Sequence, residues 1–201
     1  EWYDNGQICS KYSYKKGLLH GSSISWYDDG TKLSKGSYWE GNKSGLWNNW
    51  YENGQQENEL EYKNGLIFSA KVWAPDGKRC THTNLLEGNG KFVTYGIDGK
   101  ISSEDKYKNG IELFEKRFYW HENGQKRSVG LYKADKKDGL YTTWHENGQK
   151  ASVQNYLEGK LNGPEEKWHE NGTKFKRTIP RPPPMPTQHK MLRGIPLPRR
   201  S

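Results

Sequence analysis

Apolar positions are sparse along this chain, and they recur with a long fixed period. A five-residue unit, an aromatic residue followed by two variable residues and Asn-Gly or Asp-Gly, occurs eight times at intervals of 22 to 25 residues. Six clean copies start at Trp2, Trp26, Trp50, Trp120, Trp144 and Trp168, and two altered copies start at Trp73 and Tyr95. A period in this range is typical of repeat arrays, in which each unit buries its apolar face against its neighbours.

A second aromatic element lies between successive copies of this unit. The pattern Tyr-x-x-Gly begins at Tyr14, Tyr38, Tyr62, Tyr107 and Tyr156. At Tyr132 the pattern is altered, because Asp135 stands where the glycine is expected. Each repeat therefore alternates two turn signals with two short runs of residues.

The turn residues and the runs between them predict hairpins. Asn-Gly and Asp-Gly between short runs are the strongest local hairpin signal, because these residues tolerate positive φ. The runs are rich in aromatic and β-branched residues, and none has apolar residues at helical spacing. We therefore predict an all-β protein, an elongated array of about eight 24-residue β-hairpin repeats. The array is expected to form a single twisted antiparallel meander or open roll.

The length of the Asn-Gly loop decides which side chains share a face of the sheet. A two-residue loop sets Trp26 opposite Leu33 and places Tyr38 on the other face. A three-residue loop with a glycine bulge sets Trp26 opposite Lys32, which predicts that Tyr38 joins Trp26. We favour the second arrangement because it gives one continuous aromatic face.

Aromatic residues supply the candidate core of the array. Leu, Ile, Val and Phe total only 32 of 201 residues, whereas Trp and Tyr total 22 and mostly follow the repeat. Each ring buries about 150–250 Å² while keeping a polar tip near water. We predict a structural aromatic ladder of mostly buried rings: Trp2, Trp26, Trp50, Trp73, Trp120, Trp144, Trp168, Tyr14, Tyr38, Tyr62, Tyr107, Tyr132 and Tyr156.

Charge divides the chain into two parts. The net charge is +8, and residues 174–201 hold eight basic residues and no acidic one, which leaves 24 basic against 24 acidic residues in the repeats. A neutral body makes nucleic acid an unlikely partner for the repeats. We predict a repeat array over residues 1–177 with an irregular centre at 73–106. Residues 178–201 form a basic, Pro-rich tail that is disordered or cloning-derived, or a ligand for aromatic-grooved domains.

The sequence contains no complete motif for catalysis, metal binding or cofactor binding. His-Glu at 121, 145 and 169 lacks the second histidine of a zinc-protease helix, and equivalent residues of adjacent repeats lie about 10 Å apart, too far to share a metal. Acidic residues recur once per repeat at the turns, whereas catalysis needs one converging set. Cys9 and Cys80, three repeats apart, are expected to be free thiols. We predict no enzyme activity, no cofactor and no metal.

The alternation of Tyr-x-x-Gly-x-x-x-Gly with Trp-Tyr/His-Glu-Asn-Gly-Gln-Lys resembles the bacterial variant of the MORN repeat. The resemblance spans residues 1–177, is strongest in residues 1–65 and 107–174, and weakens in the repeats near 73–105. It implies a hairpin array that binds proteins or membranes, with no catalytic residues. Members of this family are sometimes described as antitoxin components of toxin–antitoxin systems. Cell-wall-binding hairpin repeats also place Trp-Tyr before a glycine turn, but this chain lacks their Gly-Trp signals.

These observations predict a non-enzymatic module that binds a partner protein, in a scaffold or an antitoxin-like neutralising role. The alternative is a cell-envelope or glycan binder that stacks sugars on exposed rings; a membrane surface is a further candidate partner. The irregular centre is the predicted docking region, with Arg79, His82 and Phe92 as candidate partner-binding residues. The chain begins without methionine, so we expect a processed or truncated product, secreted or envelope-bound, or cytoplasmic if antitoxin-like. Its oligomeric state stays open.

Overall fold

The computed structural model describes residues 1–175 as strands and turns, with no helix among them. The all-β prediction is confirmed, while the predicted tail at 178–201 lies outside the described residues. The strands are β1 (Ser10–Lys15), β2 (Leu18–Trp26), β3 (Lys32–Trp39), β4 (Asn42–Trp50), β5 (Gln56–Lys63), β6 (Leu66–Val72), β7 (Gly90–Tyr95), β8 (Ile101–Lys108), β9 (Ile111–Trp120), β10 (Lys126–Lys133), β11 (Lys136–Trp144), β12 (Lys150–Leu157), β13 (Lys160–Leu161) and β14 (Glu166–Lys167). Within residues 1–175, no helix is long and apolar enough to cross a membrane.

The turn after each repeat tryptophan is a three-residue loop with a glycine bulge. Between β2 and β3, the Tyr27 amide donates to the Thr31 carbonyl at 2.7 Å, and the Gly30 amide donates to the Tyr27 carbonyl at 3.0 Å. Gly30 has φ +87°, which glycine adopts without strain. Asp29 accepts the Thr31 amide hydrogen at 2.7 Å, which explains why the position before glycine is always Asn or Asp.

The Tyr-x-x-Gly turns are two-residue loops with positive φ at both central positions. Lys16 and Gly17 show this pattern, with φ +52° and +80°. Such turns match the right-handed twist of the strands they join. Where Asp135 replaces the glycine, Ala134 and Asp135 keep the same geometry, with φ +47° and +60°. The altered repeat therefore keeps its turn at a conformational cost that glycine would avoid.

The predicted register is confirmed, but the two kinds of aromatic residue do not share a face. Trp26 pairs with Lys32, and a bulge follows, after which Ser25 pairs with Ser34 and Gly21 pairs with Tyr38. Neighbouring residues of a strand point to opposite faces of the sheet, so Trp26 and Ser25 are on different faces. Tyr38 is on the same face as Ser25. The extra residue of this bulge is Leu33, and it moves the following residues of β3 to the other face. The expectation of one continuous aromatic face is therefore wrong. We call the two sides the tyrosine face and the opposite face.

Side chains of the turns connect each repeat to the next. Tyr27 donates its hydroxyl hydrogen to the Trp50 carbonyl at 2.8 Å, 23 residues further on. The same bond joins Tyr3 to Trp26, Tyr51 to Trp73, His121 to Trp144 and His145 to Trp168, at 2.7 to 2.9 Å. A carbonyl only accepts, so each of these histidines carries its hydrogen on Nε2. Tyr occupies this position in the first sheet and His in the second, and both place a hydrogen-bond donor at the same carbonyl.

We expect Tyr51→Phe to lower the free energy of unfolding by about 1 kcal/mol, because the Trp73 carbonyl loses its donor in a buried setting. Urea unfolding of the variant measures this loss. Tyr12→Phe is the matched control, because Tyr12 is exposed on β1 and its hydroxyl has no hydrogen bond among the described residues. Equal losses in the two variants would contradict the structural role of the Tyr51 hydroxyl.

The meander divides into two sheets at the irregular centre. Strands β1 to β6 form one sheet in chain order, and β7 to β13 form the second, with β14 added beside β12. Single hydrogen bonds from residues 83–88 bridge the gap. The Leu85 carbonyl accepts from Ala70 of β6 at 3.2 Å, and the Asn84 amide donates to Lys91 of β7 at 2.9 Å. An irregular segment thus stands where a regular hairpin is predicted.

The main apolar core lies at this junction of the two sheets. Its buried residues are Trp47, Leu60, Ile67, Val72, Cys80, Leu85, Phe92 and Val93. Elsewhere the tyrosine face buries small polar side chains that bond across strands, such as Ser25 to Ser34 at 2.6 Å and Thr143 to Ser152 at 2.8 Å. The irregular centre therefore supplies half of the apolar core, namely Cys80, Leu85, Phe92 and Val93, and strands β4 to β6 supply the other half.

Candidate functional site

The opposite face of the second sheet is more apolar than that of the first sheet. Two residues before and nine residues after a repeat tryptophan, side chains of adjacent strands pair into a continuous row. In the first sheet this row reads Ile24, Lys35, Asn48 and Glu59, and in the second it reads Phe118, Val129, Thr142 and Val153. Equivalent positions of one repeat are thus mostly polar in one sheet and mostly apolar in the other.

Phe118, Val129 and Thr142 of this row form the floor of a groove of about 580 Å³. Phe114 extends the floor on β9, Leu131 on β10, and Leu140 and Trp144 on β11. Leu140 is 54% exposed and Phe114 is 41% exposed, so apolar surface of this groove faces solvent. A volume of this size falls within the range of ligand-binding clefts. Contiguous exposed apolar surface on a folded domain is typical of an interaction site.

Lysines surround the groove. Lys91, Lys106, Lys116 and Lys126 line it, and the acidic residues that line it are Glu104 and Asp105. Glu104 forms an ion pair with Lys91 at 3.6 Å. Lys106, Lys116 and Lys126 form no ion pair within residues 1–175. The groove therefore combines an apolar floor with a rim that has two more basic than acidic residues.

The predicted docking residues lie apart from this groove. Arg79 and His82 are exposed in the irregular segment, and their role stays a prediction. Phe92 is only 8% exposed and belongs to the core at the sheet junction. Its burial corrects its assignment to a partner-binding surface, because substitution there would disturb packing before it altered any contact. The irregular stretch 73–106 still contributes Lys91 and Lys106 to the groove.

The rings of the predicted ladder are mostly half-buried. Tyr132 is buried, whereas Trp2 is 70% exposed and Tyr14 is 65% exposed. Half-buried rings are Trp26, Trp50, Trp73, Trp120, Trp144, Trp168, Tyr38, Tyr62, Tyr107 and Tyr156. The expectation of mostly buried rings is therefore too strong. Trp47, which is not part of the repeat pattern, is the most deeply buried ring, at 3% exposure.

A second, non-repeating cluster lies on the tyrosine face of the second sheet. Arg117 on β9 bonds Glu115 through Nε at 2.6 Å, and it also pairs with Asp135, the residue that replaces the turn glycine. The guanidinium lies over the Tyr132 ring at 4.4 Å. Hydrogen bonds from Arg117 to both carboxylates raise its pKa above the ordinary value. The missing glycine at Asp135 was the sequence signal for this cluster.

Asp105 on β8 pairs with Phe92 on one side and with Glu115 on the other. Its carboxylate oxygen Oδ1 is buried without a hydrogen-bond partner. Burial raises the pKa of Asp105 to about 6, and the charges of Glu115 and Glu112 add to this effect. A hydrogen bond from Ser103 and the charge of Arg117 partly offset the rise.

Comparison with known protein families finds a match to one kind of repeat over part of the chain. The model of a MORN repeat variant matches residues 1–16, 19–40 and 137–158. MORN repeats are in general modules that bind proteins or membranes. No curated protein matches the chain. The matched stretches lie in both sheets, which agrees with one repeat unit forming both.

Proposed function

We propose that this chain is a non-enzymatic repeat module that binds a partner protein through the groove on the second sheet. The observation that carries the proposal is the difference between equivalent positions of the two sheets. Packing of the repeat does not demand apolar residues at these positions, because the first sheet folds with Lys35, Asn48 and Glu59 there. Apolar side chains that folding does not require are typical of a binding surface.

The partner bound in this way could be neutralised by the module, which would be an antitoxin-like role, or held by it as on a scaffold. A groove that covers part of a partner suits either a scaffold or an inhibitor. The glycan alternative has less support, because lysine amines lie over the rings that would stack on sugars. Lys32 covers Trp50 at 5.0 Å, and Lys150 covers Trp168 at 5.3 Å.

Leu140→Glu tests the proposal against a matched control. Leu140 and Leu46 both lie four residues before a repeat tryptophan, and they are 54% and 58% exposed. Leu140→Glu places a carboxylate in the apolar floor of the groove, where a bound partner would remove it from water. We therefore expect the affinity for the partner to fall at least about tenfold. Leu46→Glu adds the same charge outside the groove and should leave binding unchanged. The measurement is affinity capture from the native cells, with the captured proteins quantified by mass spectrometry.

Two results would overturn this proposal. The first is that Leu140→Glu and the wild-type chain capture the same proteins in the same amounts, although both are folded by circular dichroism. The second is that no protein is captured while the purified chain converts a substrate in an activity screen. In the second case the module would be an enzyme.

A further inference from the structure

We infer that the groove takes an acidic segment of the partner protein that also carries apolar side chains. This inference rests on the proposed function and adds the chemistry of the partner. It follows from two separate properties of the groove, its apolar floor and its surplus of positive charge.

The floor requires apolar side chains in the bound segment. Phe118, Val129 and Leu131 line the groove and are half-buried, and Leu140 beside them is exposed. Covering such surface contributes about 25 cal/mol per Å² of apolar area removed from water. A purely polar acidic chain would cover these side chains without this gain and would desolvate its own polar groups at a cost.

The rim requires acidic side chains. Four lysines and two acidic residues, Glu104 and Asp105, line the groove, and Glu104 is already paired with Lys91. Carboxylates placed near Lys106, Lys116 and Lys126 would make the complementary contacts that set specificity and association rate. On the matching surface of the first sheet two lysines have acidic partners, because Glu59 and Glu61 of β5 form ion pairs with Lys71 and Lys63.

Charge argues against two other occupants. The chain's own residues 176–201 contain seven basic residues and no acidic residue, so they would place like charge on the lysine rim. A second copy facing this groove with its own groove would do the same, because a two-fold contact pairs identical patches. Neither occupant supplies the carboxylates that the rim lacks.

Selection from a displayed library of random peptides tests the inference with a defined probe. The full chain is immobilised, and the peptides that bind it are then tested on the two variants. Peptides that bind Leu46→Glu but no longer bind Leu140→Glu are counted as groove-dependent. We expect the groove-dependent peptides to be net acidic with two or more large apolar residues. Their affinity for the chain should fall as salt rises, because exposed charge pairs are screened.

Charge reversal separates the rim from the floor. Lys126→Glu should weaken a selected peptide by about tenfold, with the loss mainly in the association rate. Lys32→Glu is the matched control, because Lys32 also lies six residues after a repeat tryptophan but outside the groove. Groove-dependent peptides that are neutral or basic, or that bind Lys126→Glu as well as wild type, would refute the acidic segment and leave the proposed function intact.

A lipid occupant gives a different result. Vesicles of phosphatidylserine and phosphatidylcholine are sedimented with the wild-type chain and with Leu140→Glu. Groove-dependent sedimentation, together with no groove-dependent peptide, would overturn the inference in favour of a membrane surface. If neither peptides nor vesicles depend on Leu140, the acidic segment is refuted, and the capture experiment with Leu140→Glu alone decides the proposed function.

Discussion

Gly36→Ala is expected to lower the free energy of unfolding by about 2–3 kcal/mol, because the added methyl group has no space. A Cβ at Gly36 would lie 2.1 Å from the nearest atom of the Trp47 ring. That ring is 3% exposed, and its Nε1 donates to the Ser37 carbonyl at 3.0 Å, so it cannot easily withdraw. Urea unfolding followed by tryptophan fluorescence and circular dichroism measures the loss.

A double-mutant cycle provides the control. Trp47→Ala alone should cost about 3–5 kcal/mol, because it empties a buried aromatic site. In that background Gly36→Ala should cost nothing or stabilise slightly, because φ at Gly36 is not positive and alanine restricts the unfolded chain. The same penalty for Gly36→Ala with and without the Trp47 ring would contradict a steric cause.

The turns and the register were predictable because they depend on local chemistry. Gly30 and Asp29 impose the three-residue loop, and that loop alone sets Trp26 opposite Lys32. Which aromatic residues share a face was not predictable by the same reasoning. A further bulge, at Leu33, follows the loop and shifts the alternation of β3. Counting from Trp26 to Tyr38 without the bulge gives the wrong side.

The core was hidden from the sequence for a different reason. Leu85 stands where most other repeats have the tyrosine of Tyr-x-x-Gly, and a broken repeat is easily interpreted as a weak point or a binding site. In the structure the irregular segment folds over the gap between β6 and β7 and buries the residues that a regular hairpin would expose. Long-range contacts decide this packing, and no periodic pattern encodes them.

The groove, in contrast, was within reach of the sequence. Aligning the repeats and comparing Lys35 with Val129, or Ser37 with Leu131, separates positions that packing fixes from positions that vary between the sheets. The regular repeats were assigned a structural role because their aromatic residues recur. The signal lay in the residues between those aromatics, whose character changes from polar to apolar.

Asp105 belongs to neither pattern, and its burial works against folding. The carboxylate is 8% exposed, lies beside Glu115, and has one oxygen without a partner. Its pKa is raised to about 6 in the folded protein, whereas the unfolded chain has the ordinary value of 3.8. Between these two values the folded state keeps a proton that the unfolded state has lost. The contribution of Asp105 to stability therefore falls as pH rises through this window, and the full cost is present above about pH 6.

Asp105→Asn should remove this cost, because the amide has a similar shape and no charge. We expect the variant to match wild type at about pH 4 and to exceed it by about 2–3 kcal/mol at about pH 8, since each pKa unit corresponds to about 1.4 kcal/mol. Urea unfolding of both proteins across this pH range gives the difference. Glu104→Gln is the control on the same strand, because Glu104 faces the other side and is paired with Lys91. A stability difference that does not grow with pH, or an equal gain from Glu104→Gln, would show that the charge of Asp105 is already compensated in the folded protein.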